Sequence, residues 1–137
     1  MTEQALRALD EVVNRYPDTD YAKDARLKIE LTRDHLAGKE MEIGRFYLQR
    51  GEYLAAIGRF GNVVENYETT THVAEALHRM TESFTALGLV EEARRTAAVL
   101  GHNYPDSEWY EHSYELLTDQ RVRRVKSGGG SWFGRIF

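Results

Sequence analysis

Apolar residues recur along this chain at the spacing of an amphipathic helix. In three stretches an alanine is followed by a small or apolar residue four positions later, by an apolar residue at seven, and by a tyrosine at eleven. The alanines are Ala5, Ala56 and Ala93, and the tyrosines are Tyr16, Tyr67 and Tyr104. The first three of these positions lie on one face of a helix. A proline follows Tyr16 and Tyr104, and because proline cannot continue a helix, each stretch predicts a helix ending near its tyrosine.

The distances between these copies indicate a helical repeat. Ala56 and Ala93 are 37 residues apart, close to the period of about 34 residues in tetratricopeptide repeats. The 51 residues from Ala5 to Ala56 leave room for one additional helix, and residues 23–37 supply its apolar content. In the middle copy Gly44 is small where two antiparallel helices would touch, and Phe60 would fill the space between them. Thr81 replaces that glycine in the third copy. The tyrosines that end the three stretches are expected to be structural and to close the hydrophobic face between repeats.

The whole pattern predicts an all-α protein, a right-handed α-α superhelix of tetratricopeptide-like repeats. Seven helices are expected, with Gly38, Gly51 and Gly88 at three of the boundaries. They cover residues 2–15, 21–37, 39–50, 53–66, 72–87, 90–103 and 107–122. The candidate N-caps are Asp18, Thr70 or Thr71, and Asp106 or Ser107, because their short side-chain oxygens can reach the free amides of a first turn. Residues 1–122 are predicted to form the repeat domain, with an incomplete first repeat. Residues 123–137 are predicted to form a flexible basic and aromatic tail, because Ser127–Ser131 has linker composition.

Charge and composition exclude several functional classes. The net charge is −4, but the first 120 residues hold 13 of the 18 basic and all 22 acidic side chains, a net charge of −9. An acidic body is not typical of a nucleic-acid-binding domain, so no nucleic acid partner is expected. The chain has no cysteine, which excludes disulfides and Cys-ligated zinc. No apolar run approaches the ~20 residues that cross a bilayer.

The motifs give no catalytic, cofactor-binding or metal site. The five histidines form neither H-x-x-x-H nor H-E-x-x-H, and phosphate-binding glycine motifs and G-x-S-x-G are absent. We therefore expect a binding protein without enzymatic activity or cofactors. Arg59 begins beside the buried stripe, so its head must turn outward, where it could bind a partner carboxylate in a two-pronged bond. The alternative is a solvated arginine, unpaired or paired within its helix, for example with Glu65.

Trp109 and Tyr110 are adjacent in the last predicted helix and therefore point to different faces. We expect one of them to pack on the preceding repeat, while the other could reach a partner.

Two segments resemble the BamD family, the tetratricopeptide lipoproteins of the outer-membrane β-barrel assembly machinery. The first runs from Ala5 to Ala25 and includes the Tyr-Pro helix end. The second, residues 36–60, contains E-x-x-[IV]-[AG]-x-[FY]-Y-x-x-R-G and continues through R-G-x-[WY]-x-A-A-x-x-R to Arg59. The additional helix is also similar to one in that family, and the resemblance covers about residues 2–118.

The resemblance implies a non-enzymatic scaffold of the BAM complex at the periplasmic face of the Gram-negative outer membrane. It implies binding to the last periplasmic POTRA domain of BamA during β-barrel insertion, and it leaves open contacts with other BAM lipoproteins. Arg59 matches an arginine that pairs with a glutamate of BamA, and the stretch from Tyr47 to Arg50 lies near the same contact. The predicted partner-binding residues are therefore Arg59, Arg50, Tyr47 and Phe46.

Some features depart from the family pattern. Family members begin with a signal peptide and a lipidated cysteine, and this sequence has neither. We therefore expect it to correspond to the C-terminal half, with membrane attachment only through a lipid anchor absent from this chain. Glu68 replaces the usual proline, and the Trp132–Phe137 end matches no family motif. The alternative is another periplasmic tetratricopeptide scaffold that coordinates cell-envelope proteins, but the additional helix and the R-G-x-[WY] segment favour the first hypothesis.

Overall fold

The computed structural model describes residues 3–124, and in this range the chain folds into six helices. They are α1 (Glu3–Arg15), α2 (Asp20–Gln49), α3 (Tyr53–Asn66), α4 (Val73–Ala86), α5 (Val90–Asn103) and α6 (Glu108–Arg124). Each helix packs against the next, and α4 also packs against α6. The predicted all-α, tetratricopeptide-like fold is confirmed. Most of the predicted tail, including Trp132–Phe137, lies outside the described residues.

One predicted helix boundary is wrong, because α2 continues through Gly38 as a single helix of 30 residues. A glycine inside a helix costs about 1 kcal/mol relative to alanine. Here the neighbouring Ala37 and Met41 are completely buried, and their packing holds the helix together. Gly51 and Gly88 do end helices, as predicted. They have φ angles of 75° and 76°, the left-handed conformation that glycine provides after a helix end.

Hydroxyl groups start two of the helices. Thr19 precedes α2, and its side chain accepts a hydrogen bond from the amide of Ala22 at 3.2 Å. The sequence predicted Asp18 in this role, one residue too early. Ser107 precedes α6 and accepts from the amide of Trp109 at 3.1 Å, in agreement with one of the two predicted positions. In both cases the short side chain satisfies a helix amide that has no partner within the helix.

The segment before α4 is fixed by a carboxylate from α2. Asp34 accepts hydrogen bonds from the amide and the hydroxyl of Thr71 at 3.2 and 2.9 Å, and it lies 3.4 Å from Nε2 of His72. The Thr71 hydroxyl is the main cause that lowers the pKa of Asp34. The sequence predicted Thr70 or Thr71 as the N-cap of α4, but His72 holds that position without a side-chain cap.

The hydrophobic core lies between the C-terminal half of α2 and helices α3, α4 and α5. Its buried members are Ala37, Met41, Ala56, Phe60, Val63, Val73, Ala76, Leu77 and Leu100. Tyr67 and Tyr104 pack against this core from the ends of α3 and α5, which confirms their predicted structural role. Tyr16, the matching residue after α1, is exposed, and no residue of α1 is fully buried. No helix in residues 3–124 combines the length and apolarity that a membrane span needs.

The middle and third repeats have residues of different size at two equivalent positions, one on each helix of the pair. In the first pair, α2 provides Gly44 and α3 provides Phe60, whose side chain is fully buried. A Cβ atom on Gly44 would lie 2.5 Å from Cε1 of Phe60. In the next pair, 37 residues later, α4 provides Thr81 and α5 provides Ala97, and both are buried. The first helix of the third repeat has the larger residue of the two repeats at its position, and the second helix has the smaller one. The summed side-chain volume of the two positions therefore differs less between the repeats than the volume at either position.

This contact predicts opposite effects for two Gly→Ala changes. In Gly44→Ala the new methyl group meets the buried ring of Phe60, and overpacking of this kind costs about 1–3 kcal/mol. Alanine recovers only about 0.5–1 kcal/mol through helix propensity. Gly58, in the interior of α3, has open space where its Cβ would lie, so Gly58→Ala should stabilise the protein by that gain alone. Urea unfolding followed by circular dichroism tests both, and a stabilising Gly44→Ala would contradict the contact.

Candidate partner-binding surface

The four predicted partner-binding residues lie on the last turns of α2 and on α3. Three of them, Phe46, Tyr47 and Arg50, precede the tight turn that leads into α3. The turn is closed by amides of residues 50, 51 and 52, which donate to the carbonyl groups of Tyr47 and Leu48 at 2.9–3.1 Å. Gly51 provides the left-handed backbone that this turn requires. The turn therefore fixes the side chains of α2 relative to those of α3.

Aromatic and cationic groups are stacked at this end of α2. The Phe46 side chain is 54% exposed, and its ring meets that of Tyr47 edge-on with 5.7 Å between centroids. The guanidinium carbon of Arg50 lies 5.2 Å from the centroid of the Phe46 ring. Tyr47 also packs against the hydrophobic core. Tyr47 thus connects the exposed Phe46 ring and its cation to the hydrophobic core.

Arg59 forms an ion pair with Glu40 on α2, a residue that sequence reasoning missed. Its Nη1 donates to the two carboxylate oxygens at 3.3 and 3.4 Å. The Arg59 side chain is 43% exposed, and that of Glu40 only 19%. The predicted outward head is present, but the pairing with Glu65 that the alternative interpretation offered is not the one formed. Because Glu40 and Arg59 are 19 residues apart, no local spacing rule could have indicated the pair.

Glu40, which binds Arg59, shares one side of α2 with three other residues. Glu40, Ile43, Tyr47 and Arg50 follow helical spacings that place them along the edge of the buried face. Ile43 is a partly exposed apolar residue in this row. We call Ile43, Phe46, Tyr47, Arg50 and Arg59 the α2–α3 surface. It combines exposed apolar area with two arginines.

A second polar network connects α2, α4 and α6. Arg45 lies 3.0 Å from Glu75, which also binds Arg79 at 3.2 Å. Arg79 binds Glu82 at 2.7 Å, and its guanidinium lies 5.2 Å from the ring of Trp109 on α6. The positive and negative groups of this network neutralise one another, so it offers a partner less free charge than the α2–α3 surface does.

The two aromatic residues at the start of α6 both pack inward. The sequence predicted that one of Trp109 and Tyr110 would pack and the other could reach a partner. Trp109 instead lies against the ring of His78 with 5.4 Å between centroids. Tyr110 covers Gly101, where a Cβ atom would lie 2.5 Å from its ring. The prediction failed because Gly101 opens a second site for an aromatic ring on α5.

His78 is a buried titratable group at the contact between α4 and α6. Its Nδ1 lies 2.8 Å from the hydroxyl of Ser113, and its Nε2 lies 3.3 Å from Glu82. His112 lies 5.8 Å away between ring centroids. Burial lowers the pKa of His78 below its ordinary value of 6.5; Glu82 opposes this effect, and Arg79 and His112 add to it.

The attachment of α6 should therefore weaken in acid. The fold favours the neutral ring, so its stabilising effect is complete above the unfolded pKa near 6.5 and is lost as the pH falls through the lower folded pKa. We expect the melting temperature to fall more between pH 7.5 and 5.5 in the wild type than in His78→Gln. Thermal unfolding at the two pH values tests this, and equal falls would contradict it.

Metal binding receives no support from this geometry. In the part of the chain that the structure describes, no group of three His, Asp or Glu side chains is placed to hold a metal ion. The fold defines a helical-repeat protein, and its α2–α3 surface presents an exposed aromatic ring and two guanidinium groups.

Comparison with known proteins gives the family. The model of the YfiO family, described as outer membrane lipoprotein, matches residues 1–100, and the chain belongs to this family. The chain is 57% identical over 122 residues to outer membrane protein assembly factor BamD of Caulobacter vibrioides. It is 52% identical over 110 residues to the protein of that name from Rickettsia prowazekii, and 34% identical over 112 residues to that from Neisseria meningitidis. The resemblance to the BamD family is confirmed.

The matched region is only part of these relatives. The alignments cover 89%, 80% and 82% of this chain but 40%, 44% and 42% of the relatives. The chain thus spans about two fifths of the length of the curated relatives that it matches.

Proposed function

We propose that this chain acts in outer membrane protein assembly, as a non-enzymatic scaffold of the BAM complex at the periplasmic face of the outer membrane. In this proposal the α2–α3 surface binds the last POTRA domain of BamA while β-barrel proteins are inserted. Three relatives that carry the name assembly factor BamD support the general role. The observation that carries the specific contact is the half-exposed guanidinium of Arg59, which α3 presents next to the helix that bears the exposed ring of Phe46.

The composition of the surface suits a protein partner. Arginine and large aromatic residues are enriched among the residues that dominate interface energies. Phe46 offers an exposed ring, and Arg50 and Arg59 offer guanidinium groups. A guanidinium binds a carboxylate through two parallel hydrogen bonds, which gives direction as well as affinity. An acidic residue on the partner, flanked by apolar side chains, would match this arrangement.

Site-specific photo-crosslinking in the full-length protein tests the proposal in the assembled envelope. A photoreactive phenylalanine analogue at Phe46 should capture BamA. The control position is Leu54, which is 73% exposed and lies on the side of α3 opposite its buried residues. Capture of BamA from position 46 and not from 54 is the expected result. Capture of a different envelope protein from position 46 would favour the alternative of another periplasmic scaffold.

A further inference from the structure

Glu40 is the α2 residue that binds Arg59, and the structure gives this ion pair a specific geometry. Both of its carboxylate oxygens face a single nitrogen, Nη1 of Arg59. Among residues 3–124, Nε and Nη2 of Arg59 donate no hydrogen bond. One edge of the guanidinium is thus held by the protein, and the other edge is available to a partner.

The packing of α2 against α3 makes this arrangement possible. Phe60 occupies the space left by Gly44, which fixes the register of the two helices. Arg59 precedes Phe60, and Glu40 precedes Gly44 by one helical turn. A long arginine side chain can therefore run along α2 and reach Glu40. Glu40 is mostly buried, so its carboxylate has little freedom to follow the arginine elsewhere.

We propose that Glu40 is a positioning residue for partner binding: it holds Arg59 by Nη1 and so directs Nε and Nη2 toward a carboxylate of the partner. This inference rests on the proposed function, because it concerns the same surface. Fixing a rotamer-rich side chain before association removes part of the entropy cost of binding. The carboxylate of Glu40 also repels a partner carboxylate, but a guanidinium placed between the two screens this repulsion.

The role of Glu40 depends on a hydrogen-bond acceptor rather than on its charge. Glutamine has the same length and keeps one carbonyl oxygen that can accept from Nη1. Alanine keeps neither. We therefore expect Glu40→Ala to weaken binding to the isolated last POTRA domain of the cognate BamA by about 5–10-fold, the scale of one immobilised side chain. Glu40→Gln should bind within about 2-fold of the wild type.

A matched control separates positioning from general stability. Glu75 forms a comparable ion pair between helices, with Arg45, and is similarly buried. Glu75→Ala should reduce stability at least as much as Glu40→Ala, because Glu75 also binds Arg79, but it should leave the affinity unchanged. Circular dichroism melting curves and titration calorimetry on the same samples give both quantities.

The outcomes distinguish this inference from the function on which it rests. Weak binding by Glu40→Ala, rescue by Glu40→Gln and normal binding by Glu75→Ala would support it. Wild-type binding by Glu40→Ala would mean that Glu40 has no effect on the affinity, and tighter binding would mean that Glu40 competes with the partner for Arg59. Either result would overturn this inference alone. A folded wild-type chain that does not bind the POTRA domain would overturn both proposals.

Discussion

Replacing Phe60 with alanine is expected to lower the free energy of unfolding by about 3–5 kcal/mol. The side chain is completely buried between α2 and α3, where Gly44 makes room for it. Alanine would leave a cavity that the helices cannot close without losing their register. Since a domain of this size has a total stability of only about 5–15 kcal/mol, the loss should be visible in urea unfolding as a large shift of the midpoint.

The third repeat indicates how to recover part of that loss. It has Thr81 and Ala97 where the middle repeat has Gly44 and Phe60, with both residues buried. Adding Gly44→Thr to Phe60→Ala should therefore restore about 1–2 kcal/mol, within the usual range of coupling between residues in contact. Gly44→Thr by itself should destabilise the protein. If the double variant were no more stable than Phe60→Ala, the exchange of bulk between the two helices would not explain the packing.

Replacing Arg59 with glutamine is expected to weaken binding to the last POTRA domain of BamA by about 2–5 kcal/mol, about 30-fold or more in Kd. Glutamine removes the charge and the paired donors that would bind a partner carboxylate. It is a cleaner change than glutamate, which would place a second carboxylate against Glu40 and disturb the contact between α2 and α3. Titration calorimetry measures the effect directly.

The control for this prediction is Arg95→Gln on α5. Arg95 is exposed and pairs with Glu92 three residues earlier, an arrangement worth little to stability. Its removal changes the net charge by the same amount as Arg59→Gln and should leave the Kd unchanged. Equal losses for the two variants would mean that the partner senses only overall charge.

The sequence predicted most of the fold because the repeat has residue spacings and turn glycines that can be recognised within one helix or turn. The alanine and tyrosine spacing located α1, α3 and α5, and the positive φ of Gly51 and Gly88 agrees with the two turns predicted there. The helix boundary predicted at Gly38 was wrong, because a glycine inside a helix does not end it where the residues on both sides are buried. Ala37 and Met41 are buried across that point and continue α2 through it.

The sequence predicted less of the candidate site. The orientation of Arg59 followed from its place beside Phe60, but its partner Glu40 lies on another helix, and only the register set by Gly44 and Phe60 brings them together. The same holds for Trp109, whose contact His78 lies 31 residues earlier. Pairs of this kind depend on how helices stack, which helical spacing alone does not determine.

The proposed contact between the α2–α3 surface and the last POTRA domain of BamA can be located by chemical-shift mapping. The isotope-labelled chain, at 15.8 kDa, is suited to titration with the unlabelled domain. We expect the amide signals of residues 43–50 and the guanidinium signal of Arg59 to shift together and saturate, while the signals of α5 stay unchanged. Saturating shifts confined to α5 and α6, or no shifts at all from a folded chain, would contradict it.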